Sequence, residues 1–120
     1  MAMTPKELLN QLMQTEGAMC AALVDANSGM LLESAGTGID LELAAAGNTE
    51  VVRAKMKTMK SLGMQGSIED ILISLTHQYH IIRPVEKHEG LFIYYVLDRS
   101  RANLAMARRK VLEAEAQTVI

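Results

Sequence analysis

Apolar and polar positions repeat along the chain with two different periods, and the changes of period divide it into eight elements. Thr4-Pro5-Lys6-Glu7 has the form of a helix start: Thr4 can accept from an orphan amide, Pro5 suits the first helical position, and Glu7 completes a capping box. Leu8, Leu9, Leu12 and Met13 then share one stripe, which predicts a helix over residues 5–15 ended by Gly17. Every position from Ala18 to Val24 is apolar, the pattern of a strand covered on both faces. Asp25-Ala26-Asn27-Ser28-Gly29 supplies turn chemistry before a second strand, Met30 to Ser34.

Asp40 is placed to cap a longer helix reaching Ser61, with Gly63 just beyond. At 100° per residue, Leu41, Ala44, Ala45, Val51, Val52, Met56, Met59 and Leu62 fall on the side expected to meet the core. The opposite side carries Leu43, Ala46, Gly47, Glu50, Ala54 and Ser61, small residues where a solvated helix would carry more Glu, Lys and Gln. A second helix could lie there, and close backbone approach would offset the roughly 1 kcal/mol that a mid-helix glycine costs relative to alanine.

Ile68 to Leu75 alternates, with Ile71, Ile73 and Leu75 on one face and Asp70, Leu72 and Ser74 on the other, as in an edge strand. Tyr79 to Val85 follows the turn Thr76-His77-Gln78, with Pro84 suited to a strand end. After Glu86-Lys87-His88-Glu89-Gly90, the all-apolar Leu91 to Leu97 belongs in the centre of the sheet. Ser100 can cap a last helix whose buried stripe is Leu104, Ala107, Val111 and Ala114, widened by Leu112. The order α-β-β-α-β-β-β-α predicts an α+β domain, a five-stranded, mainly antiparallel sheet with helices on both faces.

The 120 residues are enough for one domain, spanning 1–120, and 49% apolar composition lets it bury a core. A formal charge of −2 and only three Tyr and one Phe argue against nucleic acid as a partner. The single Cys20 fits a reducing compartment, and no apolar run approaches the roughly 20 residues needed to cross a bilayer. The expectation is a soluble cytoplasmic protein without membrane insertion.

No phosphate-binding glycine loop occurs, so the chain is not expected to bind or hydrolyse GTP itself. His77 and His80 lack a third metal ligand nearby and read as solvated turn residues, while Cys20, in an apolar strand, reads as core. No catalytic residue, metal site or cofactor is expected. Met13, Met19, Met56, Met59 and Met106 read as packing residues at or beside core stripes. Arg53, Lys55, Lys57 and Lys60 cluster on the second helix; Arg99, Arg101, Arg108, Arg109 and Lys110 cluster around the third. Solvated helix faces or an acidic protein partner would each account for them.

With these elements in order, the chain resembles the roadblock (dynein light chain) family, which includes bacterial regulators of gliding-motility GTPases. The likeness lies in Ala22-Leu23-Val24-Asp25 with Ser28-Gly29 and in Gly38-Ile39-Asp40 leading to Leu43-Ala44-Ala45. It continues in Ile81-Ile82-Arg83-Pro84-Val85, and in Leu91 to Asp98 followed by Asn103-Leu104-Ala105-Met106-Ala107-Arg108. The resemblance implies a roadblock/profilin-like fold and a homodimer, or a pair with a related roadblock chain. In it, third strands join edge to edge and second helices lie antiparallel as a platform for a small Ras-like GTPase. Carried onto this chain, it places Leu43, Ala46, Gly47, Glu50, Ala54, Ile68, Asp70, Leu72 and Ser74 in the dimer interface, and Arg53, Lys57 and Lys60 against the partner. It names no arginine finger, for which Arg53 and Arg101 are the exposed options. The alternative is a small-ligand sensory module of similar architecture.

Overall fold

A computed structural model describes residues 2–119. The elements are α1 (Pro5–Leu12), β1 (Ala18–Asp25), β2 (Met30–Gly36), α2 (Leu41–Ser61), β3 (Ile71–Ser74), β4 (Gln78–Pro84), β5 (Leu91–Asp98) and α3 (Leu104–Ala116). The five strands form one sheet in the order β2-β1-β5-β4-β3, with every neighbouring pair antiparallel. The expected element order and sheet are therefore the observed ones, and the two all-apolar strands, β1 and β5, lie side by side in the middle.

Because side chains alternate across a strand, an all-apolar strand feeds two cores. Ala21, Leu23, Ile93, Tyr95 and Leu97 meet α1 and α3 through Leu8, Leu9, Leu12, Ala107 and Val111. Cys20, Ala22, Val24, Phe92, Tyr94 and Val96 meet α2 through Ala45 and Val52. Tyr95 sends its hydroxyl to the Leu12 carbonyl at 2.6 Å, so its polar end is satisfied where α1 stops. Burial pushes the Cys20 thiol up to about 11, which keeps it a protonated core residue.

Several boundaries differ from expectation for local reasons. α1 ends at Leu12 instead of residue 15 because the amides of Gln14 and Thr15 bond back only three residues, tightening the chain toward Gly17 at φ +87°. β3 covers Ile71–Ser74 instead of Ile68 to Leu75: Arg83 Nη1 takes the Glu69 carbonyl and Arg108 grips Asp70 through two bonds of 2.9 Å before the ladder starts. Ser100 does not cap α3. Its amide and hydroxyl both bond the Asp98 carboxylate, which is thereby held below the usual carboxylate range, and Asn103 takes the cap by accepting from the Met106 amide. Leu112 and Met106, expected at or beside the buried stripe of α3, are about half exposed. Glu115 takes the place beside Val111 and Ala114.

Glu115 is the main buried charge of the fold. Its carboxylate receives Arg83 Nη2 at 3.4 Å and the Glu86 amide at 3.1 Å, tying α3 to the end of β4. The two outer strands leave different borders. On β2, Lys6 Nζ of α1 donates to the outward Ser34 carbonyl at 2.5 Å, and a register shift between Leu23 and Val24 bends the ladder. On β3, the Leu75 amide bonds the Gln78 carbonyl, so Ile73 and Ile71 occupy the next hydrogen-bonded pairs and the backbone polar groups of Leu72 and Ser74 point away from the sheet.

Removing the Glu115 carboxylate should leave Arg83 buried without its counter-charge. Glu115→Ala is expected to lower unfolding stability by about 3 kcal/mol, and Glu115→Gln, which can still accept the Glu86 amide, by less, in urea denaturation.

Candidate interaction surface

α2 begins at Asp40, whose carboxylate accepts from the Leu43 amide, and crosses the face of the sheet opposite α1 and α3. Only a narrow line of it is buried: Ala45, Thr49 and Val52, flanked by the half-buried Leu41, Ala44, Asn48 and Met59. Thr49 is tolerated there because its hydroxyl returns a 2.7 Å bond to the Ala45 carbonyl. Val51, Met56 and Leu62, expected in the core, are exposed instead, Leu62 by 68%. The sheet beneath the helix is narrower than the apolar arc its sequence presents.

The outward side is the small-residue stripe read from the sequence. Leu43 is 72% exposed, and Ala46, Gly47, Glu50 and Ala54 are all exposed. Gly47 has no positive φ, and a Cβ placed there would meet nothing within 4 Å. Nothing among the described residues accounts for a glycine at that position. Arg53, Lys57 and Lys60 occupy a neighbouring flank, exposed and without a carboxylate partner among the described residues.

The candidate edge residues are placed less uniformly. Ser74 is exposed, and Leu72 turns its side chain to the core shared with α1 and α3 while its backbone lies on the open border. Asp70 is engaged by Arg108, whose guanidinium it holds above its ordinary value, and Ile68 precedes the strand. Arg101 is exposed, and Arg99 stacks over Tyr79 at 5.1 Å while bonding the Leu75 carbonyl.

Beside the C-terminal half of α2 lies an open groove of about 1040 Å³. Val52, Met56 and Met59 of α2, Met64, Leu91, Phe92 and, from α3, Leu112 line it. Sequence reasoning missed it because Met56 carries the same periodic signal whether or not anything fills the space below.

On the same side of the sheet, His80 is a strand residue, not the solvated turn residue expected; His77 is exposed at the turn. His80 Nε2 lies 2.8 Å from Gln78 Oε1, which can only accept, so Nε2 carries the proton and Nδ1 accepts from the Tyr94 hydroxyl at 2.9 Å. Burial holds the imidazole below its ordinary value. Among the described residues, no group of three or more His, Cys, Asp or Glu comes together to hold a metal ion, and no helix is long and apolar enough to cross a membrane.

No family model matches the chain, and no curated protein matches it in sequence. Solved structures share its fold. Myxococcus xanthus MglB is 20% identical with a TM-score of 0.82, over 93% of this chain and 89% of that one. A roadblock/LC7 domain from Streptomyces avermitilis is 14% identical with a TM-score of 0.81, over 95% and 93%. An MglB with a tetrameric arrangement is 19% identical with a TM-score of 0.77, over 91% and 80%. The chain thus has the fold shared by MglB and roadblock/LC7 domains.

His80 gives this surface a pH dependence of defined sign. Its folded value lies below the unfolded one near 6.5, so the unfolded chain takes up the proton first and stability falls as pH drops through 6.5 toward the folded value. His80→Gln is expected to flatten that limb in thermal unfolding followed between neutral and mildly acidic pH.

Proposed function

We propose that the chain is a non-enzymatic, dimeric scaffold or regulator of a small Ras-like GTPase, which docks on a platform made by two antiparallel copies of α2. The observation that carries this reading is Gly47. A mid-helix glycine costs roughly 1 kcal/mol, and with open space around it the cost is recovered only when another backbone comes close. The exposed Leu43, Ala46 and Ala54 flank it on a surface suited to a second helix.

The border of β3 supports the same geometry. The unpaired backbone groups of Leu72 and Ser74 are an association hazard in a single copy, and pairing with the same strand of a second copy would satisfy them. Self-association also occurs in the MglB of like fold that has a tetrameric arrangement. Arg53, Lys57 and Lys60 remain free on the other flank of α2 to meet a partner rich in carboxylates. The role is binding, with any change in nucleotide turnover arising from groups of the GTPase that the platform positions. The compartment consistent with this role is the cytoplasm.

Gly47→Phe should leave the fold intact, since its side chain has room, but weaken self-association by at least about tenfold in sedimentation equilibrium. Gly47→Ala should stabilise the isolated chain by up to about 1 kcal/mol. A Gly47→Phe variant that associates like the parent would rule out the helix pairing. The docking itself is checked by capture of the Ras-like GTPases of the source organism, loaded in turn with GDP and a non-hydrolysable GTP analogue. Capture is expected to depend on the nucleotide and to fall in a Arg53→Glu, Lys57→Glu double variant.

A further inference from the structure

On the face of the sheet that carries α2, the helix lies over β1 and β2. Toward the open border the same face shows Ile71, Ile73, Gln78 and His80, each only half-buried. His80 stands directly opposite Ile73 of the border strand, one strand in from the backbone groups of Leu72 and Ser74 that a second copy would take. Strand pairing at β3, with α2 against its copy, closes the space above these residues. We propose that the dimer is gated by pH through His80, whose protonation opens the pairing, so that the platform assembles at neutral pH and comes apart in mildly acidic surroundings. The gate rests on the reading of the chain as a dimer joined at α2 and β3.

The neutral imidazole has both nitrogens in use. Nε2 donates to Gln78 Oε1 at 2.8 Å and Nδ1 accepts from the Tyr94 hydroxyl at 2.9 Å, with the Asn48 side chain of α2 beside that hydroxyl. A proton added at Nδ1 turns an acceptor into a donor against a hydroxyl that is already donating, so the hydroxyl must turn away and a net charge stays behind. No carboxylate is set to receive that charge. β4 faces the ring with Gln78, β3 with Ile73, and β5 with Tyr94 and Val96. Tyr94, and Cys20 of β1 near it, are held by burial at about 12 and about 11 and stay neutral. Asp98, opposite Gln78 on β5, is taken by Ser100, with Arg101 and His77 as its nearby charges. Across the contact between helices, α2 brings Glu50 and Lys55, one charge of each sign and both exposed.

In a single copy the half-open face lets water reach an imidazolium. Enclosure removes that water without supplying a counter-charge, so the dimer holds the proton more weakly than the single copy does. Burial already keeps the imidazole below its ordinary value within one chain. The single copy therefore takes up the proton first, and association is complete at neutral pH and lost as pH falls below about 6.5. Two imidazoles titrate per dimer, so the association constant falls by up to about a hundredfold per pH unit.

The test is sedimentation equilibrium of the whole chain at about pH 7.5 and about pH 5, with circular dichroism confirming the fold at both. Association is expected to weaken at least about tenfold at the lower pH. His80→Gln, which keeps a hydrogen-bonding side chain but cannot take the proton, should remove that dependence, while His77→Gln and Glu50→Gln should keep it. In the unaltered protein, the His80 ring protons followed by NMR should titrate at a lower pH in a concentrated sample than in a dilute one. Equal association at both pH values, tighter association in acid, or the same loss in His80→Gln would overturn the gate while leaving the dimer. So would loss of the dependence in Glu50→Gln or an NMR midpoint indifferent to concentration. A chain that stays single at neutral pH would overturn the dimer reading as well.

Discussion

The pairing of β1 with β5 is the constraint on which the rest of the architecture depends. Both strands are apolar at nearly every position, so neither of their faces can be left to water. One face takes α2 and the other takes α1 and α3, and this sandwich arrangement pushes the shorter, more polar β2 and β3 to the borders. The backbone ladder is shared, but the two cores are filled by different residues of the same strands: Tyr95 and Leu97 on one side, Tyr94 and Val96 on the other.

α2 is where this plan leaves something over. At 21 residues it is longer than the support beneath it, and its apolar arc is wider than the buried line of Ala45, Thr49 and Val52. Part of the surplus faces outward around Gly47, where a second helix is the proposed cover, and part overhangs the groove at Met56. His80 and Tyr94, joined at 2.9 Å, add a polar pair to the otherwise apolar α2-facing core.

The fold was legible because its strongest signals are periodic or continuous: the runs Ala18 to Val24 and Leu91 to Leu97, and the capped starts at Thr4 and Asp40. What escaped the sequence depends on contacts between distant residues. Asn103 displaced Ser100 as the cap because Asp98 claimed the serine first, and Asp70 and Glu69 left the ladder because Arg108 and Arg83 hold them from elsewhere. His80 read as a turn residue because its partner, Tyr94, is one strand away in space and 14 residues away in sequence. On α2, periodicity identified the outward stripe of Leu43, Ala46, Gly47 and Ala54, yet it could not separate Met59 over the core from Met56 over empty space. A helical wheel gives direction without depth.

The contrast between the two borders of the sheet has a consequence for how many chains can join. With Lys6 seated on the Ser34 carbonyl and the register of β2 broken by its bulge, that side offers no straight template for another strand. Among the described residues only the β3 side is open, and in the proposed dimer a two-fold union through it would consume the open side of both participants at once. Growth by strand addition would then terminate after a single step, so the asymmetry of the rim would guard such a pair against polymerising into fibrils.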